Sequence, residues 1–402
     1  MKAVGHKLHL WLGLLFGGFF VLLGLSGSVI AWRCEFDRAL NPELLQVAPP
    51  RGMAAGAVWR VEPATVQSAV DRLSRDARYG RPTLLTFPER TGDVFVAWYR
   101  PGFSQGSPWT QEVTRQVMLD PVTLVVTGER KWGESGLSRP LLMPTIYHFH
   151  RYLVAGEAGK TIVGIFGLAL VLAALSGLLL WWPKPSRSAL WNAITVRHGG
   201  SWARFSFRLH RAAGLFAAPV LLTLGFSGSY FNVPTWVAPA VNALAPMTPA
   251  GKLANHSKGS SQQIPVAQAL ELAEAAFPSA RTSRITLPAK LGVPYEVRLR
   301  QPGELRHGDG ATRISIDSGD GAVLRVIDPE RAQGGDKLVS WLFPLHSGEA
   351  FGTAGRAFIS AFGLMPLIFF VTGLVVWWKR RAASPVKKKM RVIRSHETQR
   401  LA

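Results

Sequence analysis

Four of the ten histidines in this chain stand in two matched pairs. His9 opens the stretch LHLWLGLLFGGFFVLLGLSGSV (residues 8–29), and His210 opens LHRAAGLFAAPVLLTLGFSGSY (209–230). An offset of 201 lays Gly13 on Gly214, Gly24 on Gly225 and Ser26-Gly27 on Ser227-Gly228. His150 and His346 are related by an offset of 196, which also matches Gly156 with Gly352, Gly159 with Gly355, Ser176-Gly177 with Thr372-Gly373 and Trp181-Trp182 with Trp377-Trp378. Zinc and copper also take imidazole, but a structural zinc needs four ligands, and no thiolate or nearby carboxylate completes such a set. Two imidazoles facing each other in an uncharged, glycine-lined setting are the axial set of a six-coordinate b-type haem. With no Cys-x-x-Cys-His in the chain, such a haem is non-covalent.

The other histidines have no repeat partner. His6 falls opposite Phe207 and His148 opposite Pro344, while His198, His256, His307 and His396 lie in loops or the tail. His148 is the substitute ligand for His150, because two residues apart on a helix point to different sides. For any one of these histidines the plainer reading is a helix-end or membrane-edge residue. Duplication alone also copies residues that do nothing.

For the pairs to meet, helices must carry them. Four segments hold no charge: Leu10–Trp32, Thr161–Trp182, Ala212–Phe231 and Ala357–Trp378, each of 20 to 23 residues. At ~1.5 Å per residue each crosses a hydrocarbon core of ~30 Å. The net charge of +21 is unevenly placed. Residues 1–8, 183–211 and 379–402 hold more than a third of the 46 Lys and Arg residues and a single acid, Glu397. That is the positive-inside pattern, which argues for lipid rather than nucleic acid as the partner of the basic tail and puts both termini in the cytoplasm. The first span is too long for a secretory signal and lacks a small-x-small cleavage site. The expected fold is an α-helical four-span membrane bundle made by an internal parallel duplication, with two small periplasmic α+β modules. A pseudo-two-fold axis along the membrane normal would bring His9 to His210 near the cytoplasmic face and His150 to His346 near the exterior face.

The expected order is a cytoplasmic N-terminus (1–8), span one (9–32), module one (33–145), a pre-helix with span two (146–182) and a basic loop (183–209). Span three (210–231), module two (232–343), a second pre-helix with span four (344–378) and a basic tail (379–402) complete it. In module one a helix at Glu62–Asp76 precedes strands at Thr83–Phe87, Val94–Tyr99, Arg115–Leu119 and Val122–Thr127, with a loop at 101–108. In module two a helix at Val266–Phe277 precedes strands at Ser283–Leu287, Tyr295–Arg300, Thr312–Asp317 and Ala322–Ile327. His150 to Trp182 is too long for one span, so the Gly156/Gly159 and Gly352/Gly355 stretches are expected to break the helix. The small residues in register with His9 and His210 either pack helices closely or clear room for a flat macrocycle. Arg151 and Arg211 directly follow a ligand histidine and could pair with haem propionates, or reach the interface as snorkelling side chains. Glu157 and Glu349 are candidates for helix capping or proton relay, and the Trp-Trp pairs for membrane-belt anchors.

Taken together, the chain resembles the PepSY-associated transmembrane helix family over essentially its whole length. The resemblance rests on Leu8-His9-x-Trp11-Leu12-Gly13-Leu14, His150-Arg151-x-Leu153-x-x-Gly156-Glu157-x-Gly159 and Leu209-His210-Arg211-x-x-Gly214-Leu215. Pro344-Leu345-His346-Ser347-Gly348-Glu349 and the two Trp-Trp exits complete it. Members include iron-regulated bacterial inner-membrane ferric-siderophore reductases that carry haem b. The resemblance implies PepSY-like modules in the periplasm and a membrane oxidoreductase that passes electrons to a ferric siderophore. No Gly-x-Gly-x-x-Gly follows a strand, so the electron donor is external, a quinol or a cytoplasmic reductase. Two other classes compete. One is a non-enzymatic sensor or scaffold whose modules bind a periplasmic partner. The other is a transporter, which the charge-free spans disfavour.

Overall fold

A computed structural model describes residues 2–101, 107–183, 185–197, 199–249, 251, 253–256 and 262–400, with backbone alone for Lys2 and from residue 383 onward. His198, residues 102–106 of the expected loop and the side chains of the basic tail beyond residue 382, His396 included, lie outside the described residues. The first half of the chain runs α1 (Lys2–Ile30), α2 (Arg33–Leu40), α3 (Pro42–Leu45), α4 (Pro63–Arg75), β1 (Leu84–Thr86), β2 (Phe95–Tyr99), β3 (Thr114–Leu119), β4 (Val126–Trp132), α5 (Arg139–Tyr152) and α6 (Gly156–Trp181). After α7 (Arg187–Ile194), the second runs α8 (Trp202–Asn232), α9 (Pro234–Leu244), α10 (Val266–Ala276), β5 (Arg281–Thr286), β6 (Tyr295–Arg300), β7 (Thr312–Ile316), β8 (Val323–Ile327), α11 (Gly334–Ser347), α12 (Gly352–Phe362) and α13 (Met365–Arg400). The chain divides into two compact units.

One unit, Met1–Ser28 with Ile162–Asn232 and Ile359–Ala402, is helical. Among the described residues four stretches are long and apolar enough to cross a membrane: Ala3–Ile30, Gly156–Trp181, Trp202–Asn232 and Glu349–Ala382. The last is interrupted between α12 and α13, where the sequence reading drew one span. The break falls at Gly363-Leu364, and Pro366 follows inside the first turn of α13, a position where its missing N–H costs nothing. Small residues let the helices meet backbone to backbone. A side chain at Gly24 of α1 would strike the Gly363 carbonyl, and one at Gly225 of α8 would lie 2.8 Å from the Gly167 carbonyl of α6. Ser28 Oγ donates to the Ser360 carbonyl at 2.6 Å and Ser229 Oγ to the Gly164 carbonyl at 3.0 Å. These donors are 201 residues apart and their acceptors 196.

The other unit, Val29–Thr161 with Val233–Phe358, holds a single eight-stranded antiparallel sheet in the order β4-β3-β2-β1-β5-β6-β7-β8. The sequence predicts two small α+β modules and leaves open how their strands meet. In the structure β1 pairs with β5, with Leu85 facing Ile285 at the centre of the seam. Helices α4 and α10 cover one face. Val66, Ala69, Val70 and Leu73 of α4 and Val266, Ala269, Leu270 and Ala273 of α10 follow the 3–4 spacing of a buried stripe, and they share one core with Ile285, Val297 and Ile314. β4 begins four residues later than expected. Asp120 Oδ1 accepts from the Val122 and Thr123 N–H groups at 2.7 and 3.3 Å, and Leu124 sits at φ 56°, so the turn extends through residues read as strand. α5 and α11 also start earlier than the expected boundaries at 146 and 344.

Candidate functional site

α1 and α8 bring His9 and His210 together, with ring centroids 6.1 Å apart and planes at 90°. The second contacts of each ring fix its tautomer. His9 Nδ1 lies 3.1 Å from both the Ala173 carbonyl and Ser176 Oγ. Ser176 donates its own proton to Ala173 at 3.0 Å, so it can only accept from the ring. His210 Nδ1 lies 2.9 Å from Thr372 Oγ1, whose proton goes to the Ile368 carbonyl at 2.6 Å. In both rings Nδ1 therefore carries the hydrogen and Nε2 keeps the lone pair. Gly177 allows the close approach of His9, since a Cβ there would lie 3.1 Å from His9 Cε1, whereas a Cβ at Gly373 would make only ordinary contact with His210 Cε1 at 3.7 Å.

The second pair stands in the sheet-bearing unit. His150 lies in the last turn of α5 and His346 in the last turn of α11, with ring centroids 6.4 Å apart and planes at 72°. Each helix stops just beyond its histidine. α5 ends on Leu153 and Val154 in left-handed backbone (φ 49° and 56°), and α11 ends on Gly348 (φ 82°). A β-branched residue in that region is strained by ~1–3 kcal/mol. Burial, reinforced by His150, pushes His346 down to about 3, which leaves it as the neutral imidazole that metals take.

His148 does not share this arrangement. It is buried among Trp132, Tyr147 and Tyr152, its Nδ1 has no hydrogen-bond partner, and burial with Arg151 and Arg33 lowers it to about 4. Arg151 Nη1 donates to the Tyr147 hydroxyl at 3.0 Å and its Nε is buried without a partner, whereas Arg211 donates to the Trp181 carbonyl at 3.2 Å. Glu157 pairs with Lys160 at 2.8 Å, and Glu349 accepts from the His307 N–H at 2.9 Å.

The ring centroids of the two pairs are 6.1 and 6.4 Å apart. A metal-bound imidazole nitrogen lies about 2 Å from the ion and about 1 Å from its own ring centre. Two rings in line across one iron therefore have centres about 6 Å apart. Among the described residues no three His, Cys, Asp or Glu side chains converge, so each level offers two donors rather than a three- or four-ligand set. Around His9 and His210 the glycine stripe divides in function. Gly24 and Gly225 pack against neighbouring backbone, and a Cβ at Gly17 would strike the Phe370 ring. At Gly13 and Gly214, one turn from each histidine, a Cβ would have nothing within 4 Å.

Several groups at these sites were not anticipated from the sequence. Ser176 and Thr372 were visible as repeat-matched residues, but their bonds to the imidazoles depend on which helices cross. Tyr147 and Arg33, stacked beside His148 with the guanidinium 5.0 Å from the ring, carried no signal.

The apolar helices make this a membrane protein. Residues 6–380 match the profile of the PepSY-associated TM region, and the chain belongs to that family. It is also similar to the uncharacterised protein PA4219 of Pseudomonas aeruginosa, with 25% identity over 263 residues. That match covers 60% of this chain and 64% of the relative, so the chain spans somewhat under two thirds of the relative's length.

Proposed function

We propose that the protein is a dihaem b-type electron-transfer protein of the bacterial inner membrane that reduces a ferric siderophore in the periplasm. Its two halves arose by internal duplication, its sheet is made of two PepSY-like modules on the periplasmic side, and both termini are cytoplasmic. The observation that carries this reading is the doubled geometry. Two histidine pairs at positions matched in the sequence have ring centroids 6.1 and 6.4 Å apart, and in one pair both Nδ1 atoms are engaged, so His9 and His210 would hold one haem through Nε2 and His150 with His346 a second.

Haem, when bound, supplies the one-electron couple. The chain's own residues hold it, orient the imidazoles, and keep water from the pair in the apolar bundle. An external quinol or cytoplasmic reductase donates the electron. One electron per ferric ion gives Fe(II), which hard oxygen ligands hold less tightly, and the iron is released.

The test is a pyridine haemochrome assay with dithionite reduction on protein purified in detergent. Two haems b per chain are expected, and His210→Ala and His346→Ala should each remove the signal of a different one. A colourless, folded preparation overturns the proposal, as does loss of one shared centre in both variants. The sensor or scaffold class would then take its place.

A further inference from the structure

Strands β5, β6 and β7 turn Ile285, Val297 and Ile314 toward the helix-covered core, so alternate residues line the opposite face. There the register sets Arg284 against Arg298 and Arg298 against Arg313. Three like charges abreast on neighbouring strands are unfavourable by themselves. Arg306, from the β6–β7 connection, joins them and lies 4.3 Å from the Phe343 ring, one turn before His346.

The acids that face the cluster are Asp309, which acts on Arg284, Arg298 and Arg306, Glu296 near Arg284 and Glu349 near Arg306. Arg284 reaches Asp309 at 3.3 Å. Among the described residues the guanidiniums of Arg298, Arg306 and Arg313 make no ion pair, and the Nε atoms of Arg284, Arg298 and Arg313 are buried without a hydrogen-bond partner. Arg298 is 6% exposed. Burial, then Arg284, Arg313 and Arg306, brings it down to about 9, still charged at neutral pH. The same sheet shows what a structural arginine looks like. Arg130, 8% exposed, is gripped by both Asp37 oxygens at 2.9 and 2.8 Å and by Gln116 at 2.7 Å. A buried guanidinium left without an ion pair is costly to the empty fold. Planar forks of this kind match oxyanions.

We propose that Arg298 and Arg313, flanked by Arg284 and Arg306, form a binding site for an anion bearing several carboxylate-type oxygen acceptors. Two sources share this chemistry: the propionates of a haem at the neighbouring His150–His346 pair, or a free polycarboxylate. The site stands whether or not the electron-transfer reading does.

The test uses full-length protein in detergent, as purified and after haem extraction, with citrate as the probe and thermal unfolding as the readout. Citrate should raise the unfolding temperature in a concentration-dependent way. A response in both forms assigns the site to a free anion, and a response confined to the extracted form assigns it to propionates. Arg298→Met and Arg313→Met should abolish the response, and Arg325→Met on β8 should keep it. Without citrate, Arg298→Met should unfold at or above the wild-type temperature, since it removes an unpaired buried charge; Arg298→Gln provides a second variant. The proposal is overturned if citrate has no effect on either form, if the response survives in the Arg298 variants, or if both of those variants lower the citrate-free unfolding temperature. Absence of haem from the purified protein would count against the electron-transfer reading alone.

Discussion

Thr372 illustrates how one hydroxyl can set the chemistry of a larger group. Its proton is committed to Ile368, so it can only accept from His210, and that leaves the lone pair of the ring on Nε2. Partners of this sort are worth about 10–100-fold in affinity for what the histidine binds. We expect Thr372→Val to lower haem retention by about that factor and shift the absorption maximum, while Thr372→Ser restores both; dialysis against apomyoglobin followed by Soret absorbance measures it. The four paired histidines could be found in the sequence because they stand in two stretches that match at constant offsets of 201 and 196. The hydroxyls that steer them could not be assigned, since the repeat does not say that α1 leans on α6 while α8 leans on α13. The arginine face was hidden for a related reason. The register shift between Thr282 and Arg284 decides which residues of β5 share a face, and hydrophobic alternation alone does not reveal a bulge.

Among the elements, the helices separate two uses of glycine that look identical in sequence. Gly24 meets the Gly363 carbonyl, which cannot move aside, whereas Gly13 faces open space. Gly24→Leu should therefore destabilise the bundle by about 1–3 kcal/mol, the usual cost of overpacking. Gly13→Leu should leave stability within about 0.5 kcal/mol and instead reduce haem content. Thermal unfolding and haem-to-protein ratio, measured on both variants, separate the effects. Equal behaviour of the two would mean that the stripe serves packing throughout. The spans were legible because four uncharged runs of that length are hard to place anywhere but in a bilayer. The strands and α4 and α10 were legible from their periodicity. The late start of β4 was not, because Val122, Thr123, Leu124 and Val125 have strand-like composition while Asp120 bonds their backbone into a turn. The short helices α2 and α3, of eight and four residues, are too short to show a period.

For the molecule as a whole, what the sequence leaves open is the sheet. Two similar runs of helix and strands were visible, but nothing in either says whether it stands alone. The structure joins them through β1, three residues long, which pairs Leu84 with Thr286, Leu85 with Ile285 and Thr86 with Arg284. Such a seam is self-complementary: on the proposed duplication, each partner strand occupies the place its copy would occupy. A fragment ending near residue 197 would leave β1 as an open border with unsatisfied N–H and C=O groups, inviting strand addition. Expressed alone, that fragment should pair with a second copy of itself or precipitate, and co-expression with the remainder should rescue a soluble one-to-one complex in detergent, readable by size-exclusion chromatography with light scattering. A monodisperse monomeric fragment would show that the border needs no partner. On the proposed duplication, the same border would let two copies of one half dock edge to edge, so a chain that carries both halves in tandem closes its sheet without a second molecule.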